Sequence, residues 1–165
     1  MRLQKASKNW AASTDEKCSL CKWIGDNGTI NYSTENLRDA IKALTDGKGP
    51  EVTYDPIGRN FSEPASRFIA WRGRYLVVGF AADPIPALPL NLTLLKGASI
   101  VDVFWSGFAK NEFKVIATAM VELAQWCAQG KIKPVIDRTM PMAELKAAYP
   151  DMGSRGVKGK LVMVD

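Results

Sequence analysis

Three cysteines are among the residues of this chain whose side chains could do chemistry. Cys18 and Cys21 form a CxxC pair, and Cys127 lies far from them in the sequence. Because the chain has no histidine, a structural zinc site lacks its usual ligands, and Ser-His-Asp or Cys-His catalysis is excluded. We interpret the pair as ordinary helix positions, with redox or metal chemistry as the alternative.

Two strand-like runs indicate where a ligand would bind. Glu51 to Gly58 and Arg74 to Phe80 are rich in β-branched and aromatic residues, which is typical of buried parallel strands. Ser62 to Ala70 lies between them and is long enough for a helix, so the three segments predict a strand-helix-strand unit. Ligands of such sheets bind outside the carboxyl ends of the strands, so we expect function in the loops after Asp55 and Gly79.

The order of the other predicted elements indicates an α/β fold with a doubly wound, mainly parallel sheet and helices on both faces. Ser13, in a capping box with Glu16, is predicted to begin the first helix, and Ser33 or Thr34 the second. The longest predicted helix, Lys110 to Gln129, carries an apolar stripe that we assign to core packing. The remaining predicted strands and helical turns are Lys8 to Ala12, Gly28 to Tyr32, Asn91 to Gly97, Ser99 to Trp105, Pro134 to Ile136, Met142 to Tyr149 and Gly159 to Val164.

Length and composition limit the classes of protein to consider. A chain of 165 residues with 47% hydrophobic content predicts one domain, and it has no apolar run long enough for a membrane span. No apolar segment follows the basic N-terminus, which predicts a cytoplasmic protein. The net charge of +5 would suit an anionic partner, but the basic residues are scattered, so we interpret them as an ordinary basic surface and do not expect nucleic-acid binding.

A glycine-rich phosphate-binding turn is missing from the sequence. Dinucleotide-binding folds place a GxGxxG turn between their first strand and first helix, where glycine lets backbone amides approach the pyrophosphate. No such motif occurs in this chain. Gly47 and Gly49 precede a predicted strand instead of a helix, so we interpret them as turn residues.

Five motifs nevertheless give the chain a family resemblance. They are Thr14 to Lys17 (TDEK), Ile30 to Tyr32 (INY), Tyr54 to Gly58 (YDPIG), Gly73 to Phe80 (GRYLVVGF) and Gly156 to Val162 (GVKGKLV). In order and spacing the chain resembles the zinc-independent quinone oxidoreductases of the medium-chain dehydrogenase/reductase superfamily, from about Ala12 to the C-terminus. The resemblance covers only the C-terminal half of a typical member. It implies that residues 1–165 are a single, incomplete Rossmann-type domain without the catalytic domain and the glycine-rich turn.

The resemblance also implies a site for the 2′-phosphate of NADPH. In the family, a lysine that matches Lys17 and a tyrosine that matches Tyr32 contact this phosphate, near a helix N-terminus that matches Ser13 and Thr14. A point charge, a phenol donor and a helix dipole all suit a phosphate dianion. The alternative is that Lys17 is a solvated residue of the first helical turn and Tyr32 a half-buried strand end.

Further along the cofactor, the resemblance places Gly58 beside the adenosine and Phe80 and Ala81 beside the nicotinamide ribose. Phe104 and Trp105 match the segment whose backbone meets the carboxamide. Plain packing remains the alternative for Phe80, Phe104 and Trp105. The chain is predicted to contain no catalytic residue and no metal ligand.

Three positions depart from the family. Asp83 and Asp102 stand where glycine is expected, and Arg59 stands where a second glycine commonly follows Gly58. Because acidic side chains oppose a phosphorylated cofactor, the two aspartates argue against a working site. Hydride transfer needs the nicotinamide held against a substrate pocket that the missing domain would form. We therefore expect a remnant of an NADPH-dependent quinone oxidoreductase, with at most weak binding of NADP(H) and little or no hydride transfer by itself.

The missing first strand has a consequence for assembly. In this fold the first strand lies between the second and the fourth, so its absence leaves unpaired backbone amides unless Met1 to Ala12 or another chain fills the place. Gly159 to Val164 would also lack its partner, and Ala87 to Asn91 resembles the family's dimer-forming edge. We expect a homodimer, or pairing with a full-length relative, and a non-catalytic interaction module is the alternative function.

Overall fold

The computed structural model describes residues 9–154 and 156–165. These residues belong to two compact units, Met1–Phe108 and Ala109–Asp165, and Met1 to Lys8 lie outside the described part. The single-domain organisation stays a prediction.

The first unit alternates strands and helices. Its elements are β1 (Asn9–Ala12), α1 (Asp15–Trp23), β2 (Gly28–Asn31), α2 (Leu37–Leu44), β3 (Val52–Asp55), α3 (Ser62–Phe68), β4 (Arg74–Val77), α4 (Asn91–Lys96), β5 (Ser99–Asp102) and, at the boundary, α5 (Trp105–Asn111). A single 3-10 turn, Arg59–Phe61, leads into α3.

All strand pairs in this unit are parallel. β1 pairs with β2, and β3, β4 and β5 form a three-stranded sheet in which Asp55, Val77 and Asp102 end in register. Parallel strands connected by helices confirm the predicted α/β fold. Among the described strands, β1 pairs with β2, and no strand joins this pair to the sheet of β3, β4 and β5.

The core of the first unit lies between α3 and β4. Ala65, Ile69 and Tyr75 form a buried cluster, against which Val77 and Ala98 pack. Ile69 is only 2% exposed, so it is among the most completely buried side chains that the structure describes. Because each fully buried large apolar side chain stabilises the fold by about 1.5–3 kcal/mol, this cluster anchors β4 on its helix.

The second unit has fewer elements. They are α6 (Phe113–Ala128), β6 (Ile136–Pro141), a 3-10 turn (Met142–Glu144), α7 (Leu145–Gly153) and β7 (Lys160–Val164). β6 and β7 are parallel, with an irregularity in register between Ile136 and Arg138. The predicted strand Pro134 to Ile136 is therefore wrong in extent, because the strand begins where that prediction ends.

Both predicted helix caps are wrong. Thr14, not Ser13, caps α1, since its hydroxyl accepts from the backbone amide of Lys17 at 3.3 Å. Asn36 caps α2 by accepting from the amide of Asp39 at 3.3 Å. Of the predicted caps, the Ser33 hydroxyl donates instead to the carbonyl of Ser13 after β1, and the Thr34 hydroxyl donates to the carbonyl of Asn31 at the end of β2.

The long predicted helix Lys110 to Gln129 is two helices. Glu112 leaves the helical conformation between α5 and α6, and its carbonyl accepts from the amides of Val115 and Ile116, which begins the second helix. The predicted core stripe is also wrong in part, since Ile116 is buried whereas its other members are exposed. Those members are Phe113, Met120, Leu123 and Cys127.

No helix within the described residues has the length and apolar content needed to cross a bilayer.

Candidate functional site

The predicted cofactor-binding residues follow the strands of the first unit at their carboxyl ends. This is the edge where ligands of parallel α/β sheets bind. In strand order they are Ser13, Thr14 and Lys17 after β1, Tyr32 after β2, Gly58 after β3, Phe80 and Ala81 after β4, and Phe104 and Trp105 after β5.

Hydrogen bonds join the turns after β1 and β2. The Ser33 hydroxyl donates to the Ser13 carbonyl at 2.8 Å, and the buried Asn31 side chain donates from Nδ2 to Asp15 Oδ1 at 2.7 Å. These bonds hold Ser13 beside the segment that carries Tyr32. The structure therefore brings Ser13 close to Tyr32, the residue next to Ser33.

The beginning of α1 combines attractive and repulsive charges for an anion. Thr14 caps the helix, and the half-buried Lys17 lies in the first turn. Asp15 and Glu16 occupy the same turn. Acidic residues there stabilise the helix through its dipole, but they reduce the attraction that the helix N-terminus exerts on a phosphate.

A second group forms around Gly58. This residue is buried and has φ +74°, and an added Cβ would lie 3.1 Å from Cδ1 of Phe80. The amide of Ala81 donates to the carbonyl of Pro56 at 3.2 Å. Gly58, Phe80 and Ala81 are thus close together, in a space where a side chain at position 58 would be both strained and crowded.

An aromatic pair connects the two groups. The rings of Tyr32 and Phe61 have centroids 4.8 Å apart with an interplanar angle of 53°. Tilted pairs at this separation are favourable beyond their area of contact. Because Phe61 belongs to the turn that follows Gly58, this pair links the β2 side of the site to the β3 side.

Phe104 and Trp105 are not shown in contact with these groups. Both are exposed, and the ring of Trp105 pairs with Phe108 at 6.3 Å. The amide of Val103, just before them, donates to the carbonyl of Val77 at 2.9 Å. Phe104 and Trp105 therefore come directly after β5, the strand that pairs with β4. Within the described residues, however, no ring pair joins them to Phe80.

Asp55 organises the loop after β3, although it was not among the residues predicted for the site. Its carboxylate accepts from the amides of Ile57 and Gly58 at 2.8 and 2.9 Å, from the Ser62 hydroxyl at 2.9 Å, and from the Tyr75 hydroxyl. An aspartate that ends a strand and precedes Pro-x-Gly is typical of a turn held by its own side chain, and this signal was available.

The environment of this cluster changes two pKa values. Burial raises the pKa of the Asp55 carboxyl, but the hydrogen bonds that it accepts, led by the one from Tyr75, outweigh burial and hold its pKa below the usual value. Burial, together with the bond to Asp55, raises the pKa of Tyr75. Asp55 is therefore a stable anion that positions Gly58 through its amide.

A large cavity opens beside this edge of the first unit. It has a volume of about 1230 Å³ and lies between α2, α3, α4 and the segment 84–87. Tyr32 is the one predicted cofactor residue among those that line it. Arg38, Arg59 and Lys96, which also line the cavity, come from three separate elements, so no local sequence signal could have grouped them.

The parallel strands, their connecting helices and the ligand-binding edge define a Rossmann-type nucleotide-binding fold. The family model described as zinc-binding dehydrogenase matches residues 24–163, and the chain belongs to that family. Its relatives confirm the predicted quinone oxidoreductase-like membership of the medium-chain dehydrogenase/reductase superfamily.

Curated relatives match almost the whole chain. Quinone oxidoreductase-like protein 2 of Bos taurus is 33% identical over 153 residues, which is 93% of this chain and 44% of the relative. The quinone oxidoreductase of Pseudomonas aeruginosa is 28% identical over 92% of this chain and 47% of its own length. The chain thus spans less than half the length of these relatives.

A solved structure shows the same fold. The Escherichia coli quinone oxidoreductase complexed with NADPH matches with a TM-score of 0.83 and 22% identity, over 95% of this chain and 49% of that chain.

The described residues do not fit the zinc that the family description names. Cys18 is buried and Cys21 half-buried on α1, and burial, with the nearby Asp26 and Cys18, raises the pKa of the Cys21 thiol. A raised pKa disfavours the thiolate that binds metal. Within residues 9–154 and 156–165 no three histidine, cysteine, aspartate or glutamate side chains are grouped as a metal site would require.

Proposed function

We propose that this chain is the nucleotide-binding part of an NADPH-dependent quinone oxidoreductase-like protein, and that it binds NADP(H) weakly and transfers little or no hydride by itself. The observation that supports this most is that Tyr32, directly after β2, packs on Phe61 of the turn that follows Gly58, and that Phe80 lies against Gly58. The cytoplasmic location stays a prediction.

The residues of this chain would bind and orient the cofactor at two places. The capped end of α1, with Lys17, and the Tyr32 hydroxyl would take the 2′-phosphate. The buried Gly58, held by Asp55, would let the adenosine approach the backbone. When bound, NADPH would supply the hydride chemistry.

Weak binding follows from what the described edge lacks. The pyrophosphate normally rests on the amides of a glycine-rich turn at a helix N-terminus. No such motif is in the sequence, and the acidic Asp15 and Glu16 flank the capped end of α1. Slow hydride transfer follows as well, because the rate depends on holding the nicotinamide against a substrate.

Titration of the chain with NADPH and NADH by calorimetry tests the proposal. We expect a Kd for NADPH of about 100 µM or weaker and still weaker binding of NADH. Tyr32→Phe should weaken NADPH binding about threefold to tenfold and leave NADH unchanged, because it removes one hydrogen bond to the phosphate. Tyr54→Phe, an exposed position on β3, is the control.

Tight binding would contradict this proposal in a specific way. A micromolar Kd for NADPH together with quinone-dependent oxidation at ordinary enzyme rates would mean that the chain is an active reductase. Equal affinity for NADPH and NADH would mean that no 2′-phosphate site exists.

The alternative function, a non-catalytic interaction module, is supported by the outer edge of the three-stranded sheet. All four residues of β5 are exposed, and β5 has no second partner among the described strands. Apolar side chains of β5 and α4 and the residue before α4 are exposed, and they include Leu90, Leu94, Leu95, Ile100 and Val101. Exposed edges and apolar patches of this kind favour association. The proposed partner is a second copy or a full-length relative.

Sedimentation velocity tests this alternative. We expect the unmodified chain to be a dimer and Val101→Lys a monomer, because a lysine on an edge strand opposes pairing. Val121→Lys, at an exposed position of α6 in the second unit, is the matched control and should leave the dimer intact. A monomeric unmodified chain that also forms no mixed dimer with a full-length relative in native mass spectrometry would exclude the module.

A further inference from the structure

Three turns lie side by side at the amino ends of β3, β4 and β5, at the opposite end of the strands from the proposed cofactor site. We call them the amino edge, and they are residues 46–51, 70–74 and 96–99. Backbone bonds join them, because the amide of Arg72 donates to the carbonyl of Lys96 and the amide of Arg74 to the carbonyl of Glu51, both at 2.9 Å. The fold therefore makes one surface from three separate segments.

Positive charge is in excess on the amino edge. Its charged residues are Asp46, Lys48, Glu51, Arg72, Arg74 and Lys96. The carboxyl ends of the same strands, at residues 55–59, 78–83 and 102–105, carry three aspartates and one arginine. The two ends of this sheet thus have opposite net charge, which would orient the first unit on an anionic surface with the amino edge towards it.

The cations of the amino edge are available to an external partner. Lys48, Arg72 and Arg74 are exposed. The side chains of Arg72 and Arg74 have no hydrogen-bonding, ionic or ring partner among the residues that the structure describes. Guanidinium groups present paired N–H donors that match phosphate oxygens, so phosphate groups are the anions that suit this surface.

An exposed tryptophan lies between these cations. Trp71 is 71% exposed, and an added Cβ on Gly97 would lie 3.5 Å from its ring, so the indole is placed against the turn before β5. Tryptophan beside lysine and arginine is typical of surfaces that contact the headgroup layer of a membrane. Trp71 is the one aromatic residue of the amino edge, whereas single-stranded nucleic acids are bound by several rings along a groove.

We propose that the amino edge binds the surface of a membrane that contains anionic phospholipids. Trp71 enters the headgroup layer, and Lys48, Arg72 and Arg74 contact the phosphate groups. The contact is reversible and sensitive to salt, because it depends on one aromatic side chain and a few cations. It leaves the carboxyl ends of the strands, where the cofactor is proposed to bind, facing away from the membrane.

Cosedimentation with lipid vesicles tests the proposal. The unmodified chain should sediment at low salt with vesicles of equal parts phosphatidylcholine and phosphatidylserine, should not sediment with phosphatidylcholine alone, and should be released at about 0.5 M salt. Trp71→Ala should weaken binding about tenfold, because the apolar part of the contact is lost. Phe113→Ala is the matched control, since Phe113 is 72% exposed in the second unit, and it should change binding by less than about twofold.

A second pair of variants tests the role of charge. Arg72 has φ +60°, so Arg72→Gly removes the cation and suits the backbone, and the variant should fold. We expect it to weaken binding to the mixed vesicles about fivefold. Arg59→Gly is the matched control, because Arg59 has φ +58° and follows the carboxyl end of β3. It should change binding by less than about twofold.

Four outcomes would overturn the proposal. The first is no sedimentation of the unmodified chain with the mixed vesicles at low salt, and the second is equal binding to phosphatidylcholine alone. The third is equal weakening by Arg72→Gly and Arg59→Gly, which would mean a general charge effect without a defined surface. The fourth is binding of a single-stranded oligonucleotide that is lost in Trp71→Ala while vesicle binding is unchanged, which would assign the amino edge to nucleic acid.

Discussion

The core cluster of the first unit and the long helix of the second unit differ in how completely they bury their apolar side chains. In the first unit, Ile69 and Tyr75 are 2% and 3% exposed at the centre of a cluster between a helix and a strand. In the second unit, the long helix α6 buries Ile116 at 8% but leaves Phe113 72% exposed. The first unit therefore has a core of its own, whereas α6 contributes little to one.

The units differ in their polar contacts as well. The Asp55 carboxylate in the first unit accepts four hydrogen bonds, two of them from the buried Ser62 and Tyr75. In the second unit, Arg138 and Asp151 form an ion pair that is exposed to solvent. A network that includes buried groups resists opening far more than an exposed pair, so we expect the first unit to be the more stable part.

The largest expected effect tests this difference in apolar burial. Ile69→Ala should lower the free energy of unfolding by about 3 kcal/mol, because it leaves a cavity in the core of the first unit. Phe113→Ala should change it by less than about 0.5 kcal/mol, because the ring is mostly exposed. Urea denaturation combined with hydrogen exchange resolved by segment would measure both. Equal losses would contradict the difference between the units.

The next effect concerns the Asp55 cluster and its pH dependence. At neutral pH, Asp55→Asn should cost about 2 kcal/mol, since an amide cannot accept all four hydrogen bonds. The pKa of Asp55 is lowered in the folded state, so its contribution is present above the unfolded pKa of about 4 and is lost as the pH falls through the folded pKa.

Urea denaturation at several pH values between neutral and acid would measure this effect. The stability difference between the unmodified chain and Asp55→Asn should shrink below about pH 4. Asp137→Asn, at an exposed position of β6 in the second unit, is the control and leaves the cluster intact. A difference that stays constant down to acid pH would mean that the ionised carboxylate is not what stabilises the loop.

A smaller effect separates a capped helix from an uncapped one. Thr14→Ala should destabilise the first unit by about 1 kcal/mol, because α1 loses its side-chain cap. Glu112→Ala should have little effect, since Glu112 makes no side-chain hydrogen bond that caps α6. Ser13→Ala should leave α1 unchanged, and a loss equal to that of Thr14→Ala would restore Ser13 as the cap. Thermal unfolding and exchange of the α1 amides would measure these effects.

The smallest effect should not distinguish the units. Glu63→Gln in the first unit and Asp151→Asn in the second each remove an exposed ion pair. Each should change the free energy of unfolding by less than about 0.5 kcal/mol, because water and salt screen exposed charges. A loss well above this in either unit, measured at moderate salt by urea denaturation, would mean that its surface charges matter more than its packing.

Local preferences explain which elements were predictable. The alternation of strands and helices follows from backbone preferences over a few residues. So does the end of α4 at Gly97, which has φ +56°. The five motifs predicted the family, and the family model and the relatives confirm it. Conformations and motifs of this kind depend on residues that are neighbours in the chain, so one sequence is enough to identify them.

The errors occurred where distant residues compete. Ser33 looked like a cap for α2, but its hydroxyl donates to the carbonyl of Ser13, twenty positions earlier, at 2.8 Å. The apolar stripe of α6 was predicted to pack in the core, but most of its members are exposed. Burial depends on what packs against the helix, and the sequence of the helix does not contain that information. Both features depend on contacts between segments that are far apart in the chain.

The sequence by itself determined the class of fold and the family, and it predicted the edge of the sheet where a nucleotide would bind. Only the tertiary structure decided that Asp55 meets Tyr75, that Tyr32 packs on Phe61, and that Arg59 lies at the wall of a cavity. The physical reason is that local preferences set the elements one by one. The contacts that build a site form only when packing brings separate elements together.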